Sequence, residues 1–248
     1  MKKLLLILLL FATPLCAIEN PSYILDNAQL SAFIFPVSGG SVAPTAPAAT
    51  SQVDWFADDE ATAGQGDNVT QILDSSGNGN TQKQATGAKQ FTFETAFNGE
   101  KAYKSAGDWT TANASADFDI SGTMAITINV YITDVDNTQY IISNGDGSTN
   151  GYSIFYSGTQ DDIYFATSGN ITMQSNSNLS ANQWVVITLR FNETSSTMDM
   201  RFDGQVVDEE AYTTPISSNG ANCLSTKAWD LGAFPLNSGY INRIIYGE

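Results

Sequence analysis

The sequence predicts an all-β protein built as an antiparallel β-sandwich, and three observations support that class. The first is residues 182–207. There Val185, Ile187, Leu189 and Phe191 alternate with Trp184, Val186, Thr188 and Arg190, the period of a strand buried on one face. Met198, Met200 and Phe202 alternate in the same way with Asp199, Arg201 and Asp203. Folding the two runs so that Asn192 faces Thr197 sets Phe191 opposite Met198, Leu189 opposite Met200, Ile187 opposite Phe202 and Arg190 opposite Asp199. Apolar meets apolar on one side and opposite charges meet on the other, while a slip of one residue reverses every face. The second observation is Thr123 to Thr133, where Met124, Ile126, Ile128, Val130 and Ile132 share one face and Ala125, Thr127, Asn129, Tyr131 and Thr133 the other. The third is the spacing of about ten short strand candidates between turn residues, with no amphipathic helix beyond residue 53. Two strands alone are marginal, so these hairpins must share larger sheets.

Residues 1–17 read as a secretory signal. Lys2 and Lys3 precede an apolar run from Leu4 to Ala12, and Ala17 is a small residue suited to cleavage. The run is short for a membrane span. Leu15 stands where a small residue normally precedes a lipidated Cys, so Cys16 is not expected to carry an anchor. Residues 18–52 form an N-terminal extension with the patch Ala32-Phe33-Ile34-Phe35, then a Pro/Ala/Ser/Thr-rich linker of the kind that tethers a module. The folded domain is expected over residues 53–248, opening near Val53-Asp54-Trp55-Phe56.

Within it, Asp74-Ser75-Ser76-Gly77-Asn78-Gly79-Asn80 is turn chemistry. Phe91 to Phe93 and Ala102 to Lys104 are strand candidates about Asn98-Gly99, a hairpin signal. After the long strand come Tyr140 to Ser143 and Tyr152 to Tyr156. Asp162 to Thr167 and Ile171 to Gln174 form a further hairpin, and Trp229 to Ala233 and Tyr240 to Tyr246 close the chain.

Cleavage after residue 17 removes two basic and no acidic residues, leaving eight against 26. Such a surface repels nucleic acid and anionic lipid, so neither is an expected partner, and no insertion into a membrane is expected once the signal is gone. With Cys16 removed, Cys223 is alone and no internal disulfide forms; about 230 residues can hold a core unaided.

The order of these pieces resembles the concanavalin A-like jelly rolls, and among them the laminin G-like domains of exported bacterial and phage proteins. The resemblance rests on Asp74 to Asn80, Phe97-Asn98-Gly99-Glu100-Lys101-Ala102 and Ile120-Ser121-Gly122-Thr123-Met124. It continues through Ser143-Asn144-Gly145, Gly151-Tyr152-Ser153, Gln183-Trp184-Val185-Val186, Arg201-Phe202-Asp203-Gly204 and Gly239-Tyr240-Ile241-Asn242-Arg243-Ile244-Ile245-Tyr246. It implies two stacked, curved antiparallel sheets, with ligands or calcium met at the loop rim or the concave face. Its members include binders, adhesion modules and enzymes, so fold alone does not assign function.

The chain has no His, which removes the commonest general base. The laminarinase-like relatives carry Glu-x-Asp-x-x-Glu on one strand, and no Glu here begins that pattern; Asp161-Asp162 and Glu209-Glu210 read as solvated surface. No catalytic residue is expected. Calcium wants several oxygen ligands at once. Asp74, Asn78 and Asn80 in one Gly-containing loop are metal candidates, as are Asp146 with Asn144 and Asn150 in a second, against the plainer reading of turn residues alone. A sugar would use exposed rings against its C–H face and Asp or Asn to accept its hydroxyl hydrogens. The ligand-binding candidates are therefore Asp108 with Trp109, Tyr131 with Asn129 and Thr127, and Tyr152 with Tyr156. Trp184 and Trp229 are expected in the core. Five Asn-x-Ser/Thr matches, at Asn68, Asn113, Asn170, Asn178 and Asn192, are expected to be accidental behind a bacterial-looking leader.

The resulting expectation is a secreted or cell-surface recognition module, non-catalytic and carbohydrate-binding, with calcium at a rim loop. One alternative is a structural or adhesion component of a bacterial surface or phage virion that meets a protein partner or forms a homo-oligomer. The other is an atypical glycoside hydrolase.

Overall fold

The computed structural model describes residues 51–247 apart from 60–62, 109, 114, 146–150, 168–169, 177–178, 213–215, 217–221 and 225–238. The described residues hold sixteen strands and three single 3-10 turns. The first strands are β1 (Ser51–Phe56), β2 (Gln71–Ile72), β3 (Gln82–Lys83), β4 (Thr92–Phe97), β5 (Glu100–Ser105) and β6 (Thr110–Thr111). The long β7 (Met124–Ile132) precedes β8 (Gln139–Gly145), β9 (Gly151–Ser157), β10 (Asp162–Thr167) and β11 (Asn170–Gln174). Then come β12 (Trp184–Asn192), β13 (Thr197–Phe202), β14 (Gln205–Ala211), β15 (Asn222–Leu224) and β16 (Gly239–Gly247).

They form two eight-stranded antiparallel sheets. Sheet I runs β14-β13-β12-β7-β16-β5-β4, with β1 also on β16; sheet II runs β11-β10-β9-β8-β15-β6-β3-β2. The β12–β13 hairpin has the register its side chains dictate: Phe191 pairs with Met198, Leu189 with Met200, Ile187 with Phe202 and Arg190 with Asp199. Two-residue turns set the neighbouring hairpins. Asn98 and Gly99 have φ of 49° and 90°, and Asp203 and Gly204 of 47° and 82°. Positive φ at both central residues gives a turn whose twist matches the strands it joins.

The inner faces meet in one dry core. Ile126, Ile128, Ile187 and Leu189 of sheet I pack with Ile154, Ile163 and Phe165 of sheet II, and Phe165 meets Phe191 edge-on across the gap at 5.6 Å. Each such side chain contributes about 1.5–3 kcal/mol through the apolar area it removes from water. β1 is tied to β16 by Arg243, which clasps Asp54 through Nε–Oδ1 at 2.9 Å and Nη2–Oδ2 at 2.7 Å.

The structure adds strands where the sequence offered only turn-rich text. β2, β3 and β6 are two residues long, too short to show an alternation of their own. Ser51 and Gln52, expected in the linker, are the first residues of β1. Trp229 to Ala233 lies outside the described residues.

Candidate functional site

Alternation along β7 sends Ile128, Val130 and Ile132 into the core and Thr127, Asn129 and Tyr131 to the opposite face of sheet I. Register then decides what surrounds Tyr131. On one side it pairs with Trp184 of β12, and on the other with Tyr240 of β16. The β4–β5 turn brings in Phe97, which stacks on Tyr240 with centroids 3.5 Å apart and planes 10° from parallel. Phe97 also meets Tyr131 edge-on at 4.9 Å, and Trp184 meets Tyr131 edge-on at 5.5 Å. Tyr131, the central ring, is 8 % exposed; Phe97, Trp184 and Tyr240 around it are half-buried. The Lys104 ammonium lies 6.0 Å from the centre of the Tyr240 ring.

Beside the rings runs a chain of amides. Asn129 Nδ2 donates to Asn242 Oδ1 at 3.2 Å, and Asn242 Nδ2 donates to the Lys101 carbonyl at 2.9 Å. These bonds fix the orientation of Asn129 and leave its Oδ1 buried without a partner; the Trp184 Nε1 hydrogen is likewise unpartnered. Buried polar groups are normally paired, and a lone one leaves hydrogen-bonding capacity that a water or a ligand hydroxyl can fill. The patch thus gathers four aromatic rings, two tyrosine hydroxyls and the unpaired, buried Asn129 Oδ1 and Trp184 Nε1. Strand pairing sets Glu100 opposite Phe97 at the edge of the patch.

Of the sequence candidates, Tyr131 and Asn129 come together here. Trp184, expected in the core, is instead on the outer face. Its place in the alternation, in phase with Val186 and Thr188 and out of phase with Val185 and Ile187, carried that information. Phe97 and Tyr240 were missed because strand pairing, not spacing along the chain, assembles the cluster.

Tyr152 and Tyr156 require correction, because both point into the core with Ile154. The Tyr152 hydroxyl lies 3.0 Å from the Phe118 carbonyl and 3.0 Å from the Tyr246 hydroxyl, and burial holds its phenol well above the usual tyrosine range. The Tyr156 hydroxyl lies 2.7 Å from Asp161 Oδ1. Burial and that carboxylate raise its phenol also. Neither ring is presented to a ligand.

Asp108 Oδ2 accepts from the Ala106 amide at 3.1 Å and so shapes its own turn. Asp74 spends both oxygens on backbone: Oδ1 accepts from the amides of Asp54 and Ser76 at 3.0 Å each, and Oδ2 from that of Asn80 at 2.9 Å. Asn78 Nδ2 donates to the Gln52 carbonyl at 2.9 Å, and Asn80 Nδ2 to Asp117 Oδ2 at 2.7 Å. These contacts close the loop through the chain itself. Among the described residues no three His, Cys, Asp or Glu side chains group to hold a metal. Trp109 and Asp146 lie outside the described residues.

Residues 104–234 match the family described as the concanavalin A-like lectin/glucanases superfamily, and the chain belongs to it. No curated protein matches the chain. Solved structures share the fold at low identity. Domain 4 of AbnA, an extracellular arabinanase of Geobacillus stearothermophilus solved with arabinotriose, aligns with a TM-score of 0.54 at 12 % identity, covering 80 % of this chain and 92 % of that one. The botulinum neurotoxin serotype D binding domain gives 0.54 at 11 % identity, over 80 % of this chain and 48 % of that one. Trypanosoma rangeli sialidase in complex with sialic acid gives 0.56 at 10 % identity, over 89 % and 34 %. The chain spans about half of the neurotoxin domain and a third of the sialidase. No helix among the described residues is long and apolar enough to cross a membrane.

Proposed function

We propose that this protein is an exported, non-catalytic module that binds a neutral glycan on the outer face of sheet I. The observation that carries this reading is the gathering of Phe97, Tyr131, Trp184 and Tyr240 beside the unpartnered Asn129 Oδ1 and Trp184 Nε1. A sugar ring is apolar on its C–H faces and polar at its rim. It stacks on a ring such as Trp184 while its hydroxyls supply the hydrogen-bond partners that the two orphaned atoms lack. The absence of His and of a Glu-x-Asp-x-x-Glu strand supports binding without hydrolysis. The leader at residues 1–17 supports export, and arabinotriose in complex with a domain of the same fold supports the ligand class.

The test is a panel of neutral oligosaccharides screened against the intact protein, followed by titration of the hits. Binding that quenches tryptophan fluorescence and is lost in Trp184→Ala supports the reading. Failure of every sugar, together with a homo-oligomer that Trp184→Ala converts to monomer, would replace it with a protein interface on the same rings.

A further inference from the structure

Sheet II carries a separate depression on its own outer face. β3 pairs with β6 so that Lys83 stands opposite Thr111, while Gln82 beside it is buried. Lys83 and Thr111 line a cleft of about 370 Å³ with Gly79, Asn80, Thr81, Asn113 and Ser115, within the size range of small-ligand sites.

Its wall is held in place. Asn80 Nδ2 and Ser115 Oγ both donate to Asp117 Oδ2, at 2.7 and 3.0 Å, and the Asn80 amide donates to Asp74. Neither of those carboxylates lines the cleft. Lys83 is exposed and forms no salt bridge among the described residues. The cleft's lining among the described residues holds this one ammonium and no carboxylate, in a chain with 10 basic residues against 26 acidic. Around it stand the Thr81 and Thr111 hydroxyls, which both donate and accept, and the exposed Asn113 amide.

We propose that this cleft is a second binding site, independent of the aromatic patch, and that it takes a carboxylated sugar. The carboxylate of a hexuronate unit sits on the Lys83 ammonium, and its ring hydroxyls meet Thr81, Thr111 and Asn113. One cation among hydroxyls suits a monoanion. A phosphate group calls for more, usually an arginine fork or a nest of backbone amides.

The experiment titrates the intact protein with trigalacturonate and with its fully methyl-esterified counterpart, by calorimetry, in wild type, Lys83→Gln, Lys83→Arg and Trp184→Ala. The proposal expects saturable binding of the acid, at least about tenfold weaker binding of the ester, and a similar loss in Lys83→Gln, the effect of removing one charge-assisted contact. Lys83→Arg retains most of the affinity, and Trp184→Ala leaves it within twofold. Because Lys83 is exposed, its variants keep the wild-type melting temperature. No binding of the acid at about 10 mM overturns the proposal. So does equal affinity for acid and ester, or an unchanged affinity in Lys83→Gln. Loss of the acid in Trp184→Ala would place the ligand on the aromatic patch and overturn it as well. Failure of neutral glycans on sheet I leaves these readings untouched, so the two sites stand or fall separately.

Discussion

Trp184→Ala separates binding from folding because the side chain sits on the outside of sheet I. In the free protein the change removes two edge-on ring contacts, to Tyr131 at 5.5 Å and Phe97 at 6.1 Å. Such pairs contribute about 0.5–1.5 kcal/mol each beyond area burial, and the apolar area of a half-buried indole adds about 1–2 kcal/mol, so about 2–5 kcal/mol is lost. Against that, the unpaired Nε1 hydrogen disappears, which returns about 1 kcal/mol or more of desolvation cost. The net destabilisation is about 1–4 kcal/mol, a fall in Tm of at most about 16 °C for a domain of this size. Binding loses a central aromatic anchor, about 2 kcal/mol or more, which raises Kd about thirtyfold. Trp184→Phe keeps a ring but not the N–H; it should melt at or above wild type and bind with intermediate affinity. The assays are differential scanning fluorimetry and calorimetric titration with the best sugar from the panel. A folded Trp184→Ala protein with Kd within twofold of wild type refutes the reasoning.

Three further outcomes follow from the structure. Arg243→Met strands the Asp54 carboxylate, whose side chain is 1 % exposed, and should cost about 3–5 kcal/mol in urea unfolding, most of it recovered when Asp54→Leu is added. Burial raises the carboxyls of Asp54, Asp58 and Glu100 above their ordinary values, Glu100 with help from Asp58. The folded state therefore binds more protons than the unfolded one, and stability falls as pH rises from the ordinary carboxylate value toward each raised one. Tm should accordingly increase as pH falls from the raised values toward the ordinary carboxylate range, and Glu100→Gln should reduce that slope; a Tm that drops over this interval contradicts the assignment. Finally, Asp74, Asn78 and Asn80 serve the chain's own amides and carbonyls, so millimolar calcium or chelator should leave Tm within a degree, and a rise of several degrees with calcium would restore an ion to that loop.

The sandwich was legible where one strand's alternation states which face is buried. The β12–β13 register could be written from apolar and charged residues alone, because only one alignment puts Leu189 against Met200 and Arg190 against Asp199. β7 was equally plain. The site was legible in part. Asn129 and Tyr131 sit two apart on the polar face of β7, so the sequence shows them together, and Trp184 was in phase with the same face. Nothing along the chain joins Phe97 and Tyr240 to them, since these arrive from other strands through sheet order. Tyr152 and Tyr156 misled for a related reason: they too share a face, but β8 and β10 flank their strand so that this face is the core. The cleft at Lys83 was invisible because β3 and β6 are two residues each and exist only as partners of one another and of β15 and β2.

The most direct measurement is a proton–nitrogen correlation spectrum of the indole groups as a neutral oligosaccharide is added. Trp55 supplies an internal control, since its Nε1 donates to the buried Asn80 carbonyl at 2.8 Å. The account predicts that the Trp184 indole resonance moves downfield and saturates with the ligand as its N–H gains an acceptor, while that of Trp55 stays fixed. Saturable binding with the Trp184 resonance unmoved would contradict it.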